Sequence, residues 1–175
     1  SEGRFEDSCI TKETEDLASV IDDVPQDVKV AYVGHSMGGA VGVTRAAKDA
    51  RIRVLVSLAG MTHTADFVKR EFGDVTPGEG FMWEDEECPL SRTYVDDLTG
   101  IGSTLESAAK VVQPWLLVHG VEDDVVPIQD GADAFAAATS EKEWLPIEGA
   151  GHSFDDRSYG RIVEAIDAWL TRHLG

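Results

Sequence analysis

The segment Val28–Gly39, V-K-V-A-Y-V-G-H-S-M-G-G, decides the fold. Val28 to Val33 is a β-branched and aromatic run, and Gly34-His35-Ser36-Met37-Gly38 follows it at once. Ala40 to Ala50 then has helical spacing with small residues on one side. Strand, G-x-S-x-G and helix in that order describe a nucleophile elbow, in which small neighbours let the backbone turn sharply around the serine. Its hydroxyl is lifted above the strand's C-terminal end, where a helix N-terminus favours developing negative charge. Ser36 is therefore the candidate nucleophile, and the Met37 backbone N–H a candidate oxyanion donor. The competing reading is a chance glycine-rich turn between a strand and a helix.

Working outward, the same alternation repeats. Thr11–Val24 carries Leu17, Val20, Ile21 and Val24 at helical spacing, and Pro25 stops it. Arg53–Ala59, Trp115–His119 and Glu143–Ile147 read as strands, and Ile128–Thr139 as an alanine-rich helix. Arg157–His173 closes the chain as an amphipathic helix with Ile162, Val163, Ile166, Trp169 and Leu170 assigned to its inner face. Strand runs that are apolar throughout and separated by helices predict an α/β fold. The expectation is a three-layer sandwich around a mostly parallel sheet of four strands. Residues 61–112 break the rhythm but carry Phe67, Phe72, Phe81, Met82, Trp83, Tyr94 and Leu98, too apolar for a linker. They read as a helical cap inserted into a core made of residues 1–60 and 113–175.

Charge narrows the function classes. The 175 residues hold 15 Lys+Arg against 33 Asp+Glu, a formal charge of −18, with 18 Asp but only 6 Lys. Such a surface repels phosphate backbones and anionic lipid, so neither nucleic acid nor a membrane is an expected partner. The acidic residues are dispersed, as Asp22-Asp23, Asp96-Asp97, Asp123-Asp124 and Asp155-Asp156, which describes a whole surface and not an interaction tail. That is the texture of a salt-adapted protein, with an ordinary acidic protein as the alternative. No apolar run reaches the ~20 residues of a membrane span. Cys9 and Cys88 provide no disulfide framework, and the simpler reading is a reducing, cytoplasmic setting.

A serine nucleophile needs a base. His35 flanks Ser36 and points away from it as a base; with Phe81 and Trp83 it is assigned to substrate contact. His63 begins the insertion, His119 ends a strand and His173 lies in the last helical turn. His152 alone follows the last strand in a loop, Gly149-Ala150-Gly151-His152-Ser153, and is the candidate base. Glu122, Asp123 and Asp124 lie just past the Trp115–His119 strand, and any of them can orient the imidazole. Spacing alone leaves the three open.

At these residues the chain resembles the α/β-hydrolases of the serine esterase branch, close to the cinnamoyl and feruloyl esterases with a helical cap. The family's G-x-S-x-G corresponds to Gly34, Ser36 and Gly38, and its late Gly-x-x-His-x-Phe to Gly149, His152 and Phe154. Its H-G-x-x-D-x-x-V-P pattern corresponds to His119, Gly120, Asp123, Val126 and Pro127. The resemblance implies Asp123 as the triad acid, with Asp124 as the fallback. It also implies strands ahead of the elbow that this sequence does not encode, since Ser1–Asp7 resembles the segment after the family's G-H-G-x-S turn. The free edge of the elbow strand then predicts a homodimer or higher self-association, with completion by a separate N-terminal chain, or a fragment of poor activity, as the alternatives.

The resulting expectation is hydrolysis of a small-molecule carboxylic ester through an acyl-enzyme on Ser36, without metal or organic cofactor. A thioesterase or peptidase of the same fold, and a degenerate non-catalytic module, are the alternatives. A cation-binding protein would use Glu84–Glu87 and Asp123-Asp124, but no spaced ligand set such as an EF-hand loop accompanies them.

Overall fold

The computed structural model describes residues 3–175. Four strands, β1 (Val30–His35), β2 (Ile52–Leu58), β3 (Trp115–Gly120) and β4 (Lys142–Ile147), form one sheet in the order β1-β2-β3-β4. All three pairings are parallel. Seven helices accompany them: α1 (Ile10–Asp22), α2 (Met37–Ala46), α3 (Thr64–Phe72), α4 (Arg92–Ile101), α5 (Leu105–Ala108), α6 (Ile128–Ala137) and α7 (Asp156–Leu174).

Period-two alternation divides β2 and β3 between two cores. Leu55, Trp115 and Leu117 pack with Ile21, Val43, Ala46 and Ala134, so α1, α2 and α6 cover one face. Val54, Val56, Leu116 and Val118 pack with Ile147, Ile162 and Trp169, so α7 covers the other. Each such fully buried side chain contributes about 1.5–3 kcal/mol. The indole N–H of Trp115 is not left unpaired, because it donates to Ser57 Oγ at 3.0 Å. The expected three-layer α/β arrangement and its four strands are those observed.

Residues 61–112 contain α3, α4, α5 and a short arm in which Phe81 and Pro89 form an isolated antiparallel bridge. Phe67, Phe72, Met82, Leu90, Tyr94 and Leu98 make a third apolar cluster with Ile10, Ala40 and Val41. That cluster sits the inserted residues against the starts of α1 and α2.

Two expectations are corrected. Val163 is 64% exposed, not on the inner face of α7. It lies next to the buried Ile162, and one residue turns a helix by ~100°, which carries it off the buried stripe. β1 is the outer strand of the described sheet, the free edge expected of the elbow strand, and Val33 is 44% exposed. The helix after the elbow also begins at Met37, three residues before Ala40. No helix among the described residues is long and apolar enough to cross a membrane.

Candidate active site

Ser36 occupies the single residue between β1 and α2 and has φ 55°, ψ −119°. A left-handed φ is costly for a residue with a Cβ, so the neighbours must hold it there. Ser36 N–H donates to the Leu58 carbonyl at 3.0 Å, and the Ser36 carbonyl accepts from Gly39 and Met61 at 2.9 and 3.1 Å. Gly34 is required because a Cβ there would collide with the backbone of Gly38, while a Cβ on Gly38 itself meets only Tyr32 Oη at 3.7 Å. Gly39 matters more: a Cβ would come 2.6 Å from Gly60 Cα, where α2 crosses the loop after β2. That loop is clipped from below by the buried carboxylate of Asp130, which accepts from Thr62 and His63 N–H at 2.7 and 2.9 Å. Neither Gly39–Gly60 nor Asp130 was singled out in the sequence.

The loop after β4 carries His152 back over the sheet. Ala150 accepts from Glu122 N–H at 3.0 Å, which ties this loop to the one after β3. His152 Nε2 then lies 3.0 Å from Ser36 Oγ, and His152 Nδ1 lies 2.9 Å from Asp123 Oδ2. A carboxylate only accepts, so Nδ1 carries the proton and Nε2 is free to accept from the serine hydroxyl. Asp123 Oδ1 accepts from Val125 and Val126 N–H at 3.0 and 2.8 Å. Asp124 and Glu122 are exposed, so of the three adjacent acids Asp123 is the one brought to the imidazole. Burial pushes the Asp123 carboxyl up, but hydrogen bonds from His119, His152 and Val126 N–H outweigh it and hold the group well below the usual carboxylate range.

The remaining candidates separate. Met37 opens α2, with its N–H at the start of the helix beside Ser36. His35 is not in the apolar pocket: its Nε2–H donates to the His152 carbonyl at 2.8 Å, and its ring centroid is 4.7 Å from that of His152. Trp83 lines the pocket beside Ser36, whereas Phe81 faces a separate groove with Arg4, Gly78 and Arg92. The pocket holds about 160 Å³ and is lined by Ser36, Phe67, Tyr94 and all three methionines, Met37, Met61 and Met82. Phe5 and Ser8, from the chain's beginning, add to its wall, and no charged side chain among the described residues lines it. Burial raises the Tyr94 phenol, which therefore stays protonated. A larger cavity of about 380 Å³, at the opposite end of β1 among Val24, Lys29 and Arg51, touches none of Ser36, Asp123 or His152. Among the described residues no three His, Cys, Asp or Glu side chains stand close enough to hold a metal ion.

The same fold recurs in Est1E from Butyrivibrio proteoclasticus with ferulic acid bound, at TM-score 0.81 and 21% identity, covering 99% of this chain and 72% of that one. An uncharacterized protein of Mycobacterium tuberculosis is 31% identical over 144 residues, 82% of this chain and 45% of its own length. The alpha/beta hydrolase domain-containing protein 17B of Xenopus tropicalis is 33% identical over 70 residues, 40% of this chain. The chain spans only 24% of that relative's length. The sequence profile of the prolyl oligopeptidase family matches residues 18–175. With the elbow, the fold and nearly the whole length accounted for, the chain belongs to the prolyl oligopeptidase family of α/β-hydrolases.

Proposed function

We propose that the protein hydrolyses carboxylic esters of small, uncharged acyl groups through an acyl-enzyme on Ser36. The observation that carries this reading is the unbroken line Ser36 Oγ–His152–Asp123, at 3.0 and 2.9 Å, opening into an apolar pocket. Ser36 Oγ attacks the ester carbonyl carbon as its proton passes to His152 Nε2, and Asp123 steadies the imidazolium. The Met37 N–H donates to the oxyanion; one such donor is worth roughly 10²–10³ in rate. The carbon–oxygen bond to the leaving group then breaks, and His152 returns its proton to the departing alcohol. Water, deprotonated by the same imidazole, attacks the acyl-serine; the acyl–Oγ bond breaks, His152 returns the proton to Ser36 Oγ, and the acid leaves.

The pocket sets the acyl group. A 160 Å³ apolar space matches the ~150 Å³ cavity that accepts a benzene ring in another protein, so one aromatic ring or a short branched chain fits. Residues 61–112 act as the cap that shapes it, and their methionines adapt to the occupant. A screen of p-nitrophenyl acetate, butyrate, phenylacetate and decanoate tests this. Rates should peak at butyrate or phenylacetate and fall for decanoate; equal rates across the series would remove the cap's selective role. The family's description favours a second reading, peptide hydrolysis. The pocket argues against it by offering few partners for a peptide backbone, and a matched ester and anilide pair with one acyl group separates the two.

A further inference from the structure

His119 ends β3 with its side chain 1% exposed, and the acyl-transfer steps leave it without a part. Its Nε2 lies 2.8 Å from the Val126 carbonyl oxygen. A carbonyl only accepts, so this nitrogen carries the proton. The same Nε2 stands 3.4 Å from Asp123 Oδ2, the oxygen that also accepts from His152 Nδ1. Since the other carboxylate oxygen takes two backbone N–H groups, Asp123 accepts three hydrogen bonds, has the His119 N–H close beside it, and is paired with no lysine or arginine among the described residues. The ring is held from behind as well. A Cβ on Gly131 of α6 would come 2.6 Å from His119 Nδ1, and the Trp144 ring of β4 lies 6.2 Å away between centroids.

We propose that His119 is a positioning residue: its Nε2–H fixes the Asp123 carboxylate and the Val126 carbonyl against the end of β3, and through Asp123 sets the orientation and basicity of His152. The inference rests on the triad reading above. Its chemistry is a shared donor. The His119 N–H withdraws charge from Oδ2, so its loss leaves a stronger acceptor that is also free to tilt. His152 then holds its proton to higher pH while its Nε2 aims less well at Ser36. The other ionisable groups on the packed elements have their own partners or face water: Asp130 caps the Thr62 loop, Asp133 pairs with His63, and Lys142 Nζ is held by Phe135 and Ala138 carbonyls. Glu122 and Asp124 are exposed, and His35 meets His152 on its far side.

Two substitutions in the full chain separate positioning from mere packing. His119→Leu keeps the volume and removes the donor, while His119→Gln keeps an N–H on a similar reach. With p-nitrophenyl butyrate, His119→Leu should lower kcat about 10- to 100-fold, the loss of a charge-assisted hydrogen bond, with KM changed less than about twofold. The acid limb of the kcat/KM profile should move to higher pH, and the low-field proton resonance of His152 Nδ1–H should shift. His119→Gln should recover most of the rate and move both signals back. A folded His119→Leu with the parent kcat overturns the proposal. So do equal losses in both variants with an unmoved pH limb and resonance. If His119→Leu does not fold, His119→Met, which also lacks the donor, decides: a shifted limb or resonance at unchanged KM supports positioning, and an unshifted pair overturns it. Parent turnover that survives Ser36→Ala sinks the triad reading instead, which keeps the two failures distinct.

Discussion

Ser36, His152 and Asp123 are expected to act as one unit, so single losses should be nearly as damaging as combined ones. Ser36→Ala or His152→Ala should lower kcat on the order of 10⁶-fold, and Asp123→Asn on the order of 10⁴-fold, by leaving the imidazole in the wrong tautomer. Asp124→Asn, on an exposed side chain, should change the rate by no more than about twofold. Steady-state kinetics of the four variants reads this directly; a damaging Asp124→Asn beside a mild Asp123→Asn would move the acid by one residue. A pH dependence follows from the same carboxylate. Its folded-state value lies below the unfolded ~3.9, so the stability it contributes is complete well above that pH and is lost as pH falls through it. Asp49, held low chiefly by Arg51 and also by Arg45 against the effect of its burial, works in the same direction. Melting temperature should therefore fall steadily below about pH 4, and less so in Asp49→Asn, whose starting stability is lower.

At the scale of elements, the strands and the elbow were legible because they repeat a local pattern: apolar runs, a glycine-flanked serine, then a helix. His152 was legible from its place after the last strand. Asp123 was not separable from Glu122 and Asp124 by spacing, since only the turn that gives it the Val125 and Val126 N–H groups singles it out. His119 and Asp130 escaped because their partners, Val126, Thr62 and His63, meet them through tertiary packing, which leaves no periodic trace. The H-G-x-x-D spacing that places His119 four residues before Asp123 was the one available signal. Val163 falls off the inner face because helical spacing tolerates an error of one residue, while a packed face does not. The crossing of α2 over the loop after β2 gives a further prediction. Gly39→Ala must push Gly60 away and should cost about 1–3 kcal/mol, a drop in melting temperature of about 2–10 °C. Gly38→Ala, with open space beside Tyr32 Oη, should be much milder in the same thermal scan.

Over the whole molecule, charge and the outer strand oppose each other. β1 pairs only with β2 in the described sheet, and Val33 on it and Val28 just before it are exposed, so two copies can cover the same edge by one isologous contact. A charge of −18 on each chain resists that contact when screening is weak. Light scattering after gel filtration should find mass rising between about 0.05 and 1 M salt, over which the screening length shrinks to about 3 Å. Thermal stability should rise with it as self-repulsion within each chain is screened. A monomer of unchanged stability at both salt levels would contradict both expectations.

All of these scales converge on whether Ser36 becomes acylated. The most direct measurement is the intact mass of the chain, quenched in acid during turnover of p-nitrophenyl phenylacetate, followed by mapping of the modified peptide. The account predicts one added phenylacetyl group, located on Ser36, that accumulates in His152→Ala far more slowly and is absent in Ser36→Ala. Turnover without any such adduct, or an adduct on another residue that persists in Ser36→Ala, would contradict it.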